Sequence, residues 1–181
     1  MAFAIAALAC QAATAAIAET PEEFSARYLA AVKADGLKAI PNFLDDTESR
    51  KLGDLVVELA GIAAQAGKPL PFLGAGETAE SLKSLPSKES GARFFSWLDT
   101  AAPQLTQVMK TANARPLGHV TDGDFVYVVA KLTFKVEGEE IVSTDVLPLK
   151  KSGDGYRMLL KAEMTGVLKS MKKQLEATKP R

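Results

Sequence analysis

Residues 124–136, DFVYVVAKLTFKV, decide the fold. Val126, Val128, Ala130, Leu132, Phe134 and Val136 recur at every second position, the period of a β-strand, so one face is apolar along its whole length and is buried. The opposite face shows Phe125, Tyr127 and Val129, then Lys131, Thr133 and Lys135, apolar at one end and solvated at the other. Upstream, Asp122-Gly123 is a two-residue hairpin signal. Taken as the loop, it sets Thr121 opposite Asp124, His119 opposite Val126 and Leu117 opposite Val128, which puts His119 on the buried face.

Downstream, residues 140–149, EIVSTDVLPL, form the third strand. A three-residue loop of Glu137, Gly138 and Glu139 matches polarity across both faces. It pairs Phe134 with Val142, Leu132 with Thr144 and Ala130 with Val146 on the buried side, and Lys131 with Asp145 and Val129 with Leu147 on the other. A loop shifted by one residue sets Asp145 opposite Ala130 in the apolar face, where an unpaired carboxylate costs several kcal/mol. Residues 152–155 turn the chain into a fourth strand that buries Tyr156, Met158 and Leu160.

Around this antiparallel meander the period is helical. Thr20, Pro21 and Glu23 make a capping box with proline in the first turn, opening a helix that carries Phe24, Tyr28, Leu29 and Val32 to Asp35. A short stretch with Leu37, Ile40 and Phe43 follows, limited by Pro41. A long helix then places Leu52, Val56 and Leu59 on one stripe before Gly67. Residues 67–91 are rich in Gly, Pro and Ser and read as a loop with one helical turn. A helix opening at Ser87 carries Phe94, Phe95, Trp97 and Leu98, and Pro103 kinks or restarts it. After the strands, Val167, Leu168, Met171 and Leu175 mark a last amphipathic helix. The fold class is α+β, with N-terminal helices on a four-stranded antiparallel meander and a C-terminal helix.

The 181 residues fit one domain, and 22 basic against 22 acidic side chains without a long charge block argue against nucleic acid as a partner. Residues 1–18, MAFAIAALACQAATAAIA, hold no charged side chain and close on Ala16-Ile17-Ala18, a small-x-small cleavage pattern. The stretch reads as a signal peptide, too short and alanine-rich for a membrane span, with 19–181 as the exported, periplasmic or secreted domain. Cys10 lies within it, so the exported chain has no cysteine and is stable by packing alone.

No motif carries obvious chemistry. Gly74, Gly76 and Ala79 match the spacing of a dinucleotide fingerprint without the preceding strand it requires, and a lone histidine leaves no metal set. No cofactor or metal is expected. The pocket candidates are His119, Val126, Val128, Thr144 and Tyr28, and the interface candidates are Phe125, Tyr127, Val129 and Leu147.

Three segments, YLAAVKADGLKAIPNFL (28–44), GHVTDGDFVYVVAKLTF (118–134) and LPLKKSGDGYRMLL (147–160), give residues 20–163 an order of elements that resembles the nuclear transport factor 2-like, or cystatin-like, α+β superfamily. The resemblance implies a curved sheet over helices, a small pocket and dimerisation through the sheet. It implies no activity, because no catalytic constellation matches residue by residue. The reading is an exported binding or accessory protein with a small apolar ligand between sheet and helices, and with homodimerisation as a further expectation. The alternatives are a lyase or isomerase using His119 for proton transfer and a structural homo-oligomer.

Overall fold

The structure is a computed structural model that describes residues 18–67, 73, 77–136 and 138–177. Residues 1–17, with Cys10, and Gly74 and Gly76 lie outside the described residues, so the readings of a signal peptide and of a dinucleotide fingerprint fall there. Helix α1 (Pro21–Asp35) starts as the sequence requires: the Thr20 hydroxyl accepts from the Glu23 amide, and the Glu23 carboxylate accepts from the Thr20 amide at 2.8 Å. Gly36 ends it and leads into a 3-10 turn, Leu37–Asn42, that carries Pro41. Helix α2 (Asp46–Gln65) is capped by Asp45. Helices α3 (Ala79–Lys83), α4 (Ser87–Ala101) and α5 (Pro103–Thr111) follow, with Pro103 restarting the helix at the first position of α5.

Strands β1 (Asn113–Asp122), β2 (Phe125–Val136), β3 (Glu139–Ser152) and β4 (Gly155–Met158) pair in sequence order as an antiparallel meander, and α6 (Ala162–Glu176) follows. The segment around Leu44 lies parallel to β4: Met158 N donates to Phe43 O at 2.8 Å and Asp45 N to Met158 O at 2.9 Å. That closes one sheet edge. The core lies between the inner sheet face and the helices, and holds Phe24, Leu44, Val56, Phe94, Val126 and Leu149, each at most 1% exposed.

The fold class agrees with the expectation; both hairpin registers differ from it. The first loop is Gly123-Asp124, not Asp122-Gly123, so Asp122 faces Phe125, Thr121 faces Val126 and His119 faces Val128. The two-residue displacement keeps His119 on the inner face. A bulge at Leu117 then inverts the alternation, so Pro116 faces Ala130 and Ala114 faces Leu132 on the inner side while Leu117 is exposed.

In the second hairpin the loop is two residues, with Gly138 at φ +90°, and Val136 faces Glu139. Ala130 faces Asp145, Val128 faces Leu147 and Val126 faces Leu149. This is the register that the polarity match rejects. Two forces favour it. It buries Leu147 and Leu149, at about 1.5–3 kcal/mol for each fully buried leucine, where the expected register buries Val146 and Val142 instead. The Asp145 carboxylate, moreover, is not unpaired: Lys161 Nζ donates to its Oδ2 at 2.5 Å and the Val146 amide to its Oδ1 at 2.9 Å. Thr144 and Leu147 therefore exchange faces relative to the expectation. Thr144 is exposed opposite Lys131, and Leu147 is in the core.

Candidate functional site: a cavity between sheet and helices

Helix α1 sets Ser25, Tyr28 and Leu29 on the face that meets the sheet, because residues three and four apart share one side of a helix. Opposite them, Ala112, Ala114 and Ala130 are small where a leucine or phenylalanine would fill the layer. The result is a cavity of about 380 Å³. Its helical wall is Leu37, Ile40, Phe94, Phe95 and Leu98, its sheet wall Leu132 and Leu147, and its rim includes Leu105 on α5 and Glu163 and Val167 on α6, all three exposed. Protein interiors hold few voids larger than a water molecule, and apolar ones stay dry and accept apolar guests.

The polar groups of the lining are few: Ser25, Tyr28, Asp145, Lys161 and Glu163. Lys161 and Asp145 pair side chain to side chain, partly exposed at 29% and 44%. Lys161 is also the N-cap residue of α6, so the pair ties the start of that helix to β3. Such half-solvated pairs contribute little to stability. A double-mutant cycle with Asp145→Asn and Lys161→Met is expected to give a coupling of about 0.3–1 kcal/mol by urea unfolding; a coupling of zero would mean the pair does not hold α6 to β3.

Burial raises the Tyr28 hydroxyl to a pKa of about 12, and the nearby Asp145 carboxylate pushes the same way. Tyr28 is thus a neutral phenol, held edge-on against Phe43 at 5.4 Å between ring centres.

Of the expected pocket residues, Tyr28 lines the cavity. Val126 and Val128 sit in the solid core beside it, and Thr144 is on the outer face. His119 faces inward at the sheet margin but stands outside the cavity, 40% exposed, with Nδ1 2.8 Å from Glu22 Oε1 of α1. That hydrogen bond holds the Glu22 carboxyl below its usual range. Asp145, Lys161 and Ser25 went unrecognised in the sequence. A correct β2–β3 register would have found Asp145, and the Ser25/Tyr28 spacing on α1 would have found Ser25.

The outer sheet face carries the exposed Val120, Phe125, Val142 and Val146, with Tyr127, Val129 and Pro148 half-buried. Helix α6 does not cover it. Leu168 is buried in the core, and Lys172 reaches Glu58 of α2 at 2.5 Å on the helical side. The same face bears Arg115, Lys131, Lys135, Lys150 and Arg157 against Asp122 and Glu140.

Among the described residues no helix is long and apolar enough to cross a membrane, and no cluster of three or more His, Cys, Asp or Glu could hold a metal ion. Fold and site together define an α+β domain with a partly enclosed apolar cavity. Set against known proteins, the chain matches no family model, no curated protein and no solved structure.

Proposed function

We propose that the chain is an exported, non-catalytic binding or accessory protein that holds a small apolar ligand between its sheet and helices. The observation that carries the reading is the cavity of about 380 Å³, within the range of small-molecule sites and lined mainly by Leu, Phe, Ala and Met. Export rests on the uncharged leader-like stretch 2–18. The nuclear transport factor 2-like resemblance belongs to the same proposal, since a pocket under a curved sheet is what it implies.

The neutral dye N-phenyl-1-naphthylamine is the test. It is expected to brighten on binding, and Ala130→Trp, which fills the sheet wall, is expected to abolish the signal with the circular dichroism unchanged. Equal dye binding by the variant would sink the cavity reading. The proton-transfer alternative has less support, because His119 and its carboxylate partner lie on the surface and not in the cavity.

A homodimer through the outer face is the second reading, favoured by its exposed apolar side chains. The excess of basic residues there opposes close self-association. If the dimer forms, Tyr127→Glu should give a folded monomer by sedimentation equilibrium, and an unchanged oligomer would place the interface elsewhere.

A further inference from the structure

Two hydroxyls on α1 have no use within the described structure. Ser25 and Tyr28 are three residues apart on one helical face, both line the cavity, and neither hydroxyl makes a hydrogen bond among the described residues. Ser25 is 7% exposed. Both residues border the cavity, so the partners of their hydroxyls come from whatever fills it, water or ligand. Burial keeps the proton on the Tyr28 hydroxyl, which is therefore a donor as well as an acceptor.

Among the described residues, the one cation at the same cavity is already matched. Lys161 is paired with Asp145, and Glu163 occupies the first turn of α6, where the helix dipole favours an acidic residue. No positive group of the lining remains unmet. A carboxylate entering here would meet Asp145 and Glu163 while gaining no free cation, and an ammonium would leave water for an apolar lining in which Lys161 already holds Asp145 and only the solvent-exposed Glu163 is left to it. At about 30 Å³ per heavy-atom group, the liquid volume of one water, the cavity takes on the order of a dozen such groups.

We infer that the ligand is an uncharged amphiphile of medium chain length, a hydroxyl- or carbonyl-bearing hydrocarbon, whose polar end bonds to the Ser25 and Tyr28 hydroxyls. The inference rests on the cavity reading and adds the head-group chemistry to it.

The experiment is displacement of N-phenyl-1-naphthylamine from the exported chain at pH 8 by 1-decanol, decanoate and decylamine, with decane as the headless reference. Decanol is expected to displace the dye at roughly a tenth or less of the decanoate or decylamine concentration, a charged head being the costlier group to bury. Tyr28→Phe and Ser25→Ala are each expected to weaken decanol about three- to tenfold, the range of one hydrogen bond, with dye and decane unchanged. A purely structural role for these residues would weaken all the compounds together. Decanoate or decylamine binding as tightly as decanol, or variants that leave decanol unaffected, overturns the head-group inference while the dye signal still upholds the cavity. Loss of the dye signal in the wild-type chain overturns both. Should Ala130→Trp fail to fold, Ala114→Phe serves as the cavity block.

Discussion

Gly36→Ala is expected to destabilise the chain by about 2–6 kcal/mol, a large part of the 5–15 kcal/mol that holds a typical domain folded. Two costs add. Gly36 has φ +80° and ψ −167°, a region that essentially only glycine enters, which costs a side-chain-bearing residue about 1–3 kcal/mol. A Cβ there would also stand 2.6 Å from Asp99 Oδ2. Asp99 cannot yield freely, because its Oδ1 accepts from the Leu37 amide at 3.0 Å and from the Thr106 hydroxyl at 2.9 Å, joining the 3-10 turn, α4 and α5. Moving it leaves partly buried donors unmatched, at about 1–3 kcal/mol. Urea unfolding measures the sum. A midpoint equal to that of the wild type would show that the α1 terminus is not built this way.

Phe94→Ala is expected to cost about 3–5 kcal/mol, the range for removing a buried aromatic ring. Phe94 is 1% exposed, packs edge-on to Phe95 with ring centres 5.6 Å apart, and lies 5.7 Å from Trp97. Because the ring also borders the cavity, the space it leaves joins existing space and does not close by collapse, which places the cost toward the upper end. Benzene should then bind the enlarged cavity and recover part of the lost stability. Thermal unfolding with and without benzene checks both statements; a loss below about 1 kcal/mol would mean the site repacks.

Local signals were legible in the sequence where local physics decides the outcome. The capping box at Thr20 and Glu23, the restart at Pro103 and the turn at Gly153 are set by neighbours within a few residues, and each stands as read. The β2 alternation gives the inward face, but burial does not run along its whole length: Val126, Val128 and Ala130 are buried, Leu132 and Phe134 half-buried and Val136 exposed, where the hairpin extends past the helices. Register was not legible, because it depends on partners distant in sequence. Asp145 looked too costly on the inner face only because Lys161, sixteen residues on, was not placed beside it. The bulge at Leu117 is locally marked by Pro116 and by Gly118 at φ +142°, residue types that signal a bulge within a strand, but the alternation reads straight through them.

The cavity was half legible. Tyr28 was named for it, and an apolar pocket under the sheet was expected, but the register error turned Thr144 inward and Leu147 outward. His119 drew attention as a lone histidine on an inward face. Its partner turned out to be the helix-surface Glu22, a contact between α1 and β1 that no pairing within the sheet reveals.

The central claim is that the inner cavity, and not the outer sheet face, is the binding site. Methyl-labelled protein titrated with 1-decanol and followed by NMR tests it most directly. Shifts concentrated at Met109, Leu132, Leu147 and Met164, which surround the cavity, are the predicted result. Shifts confined to Val120, Val142 and Val146 on the outer face, or no shifts at all, would contradict it.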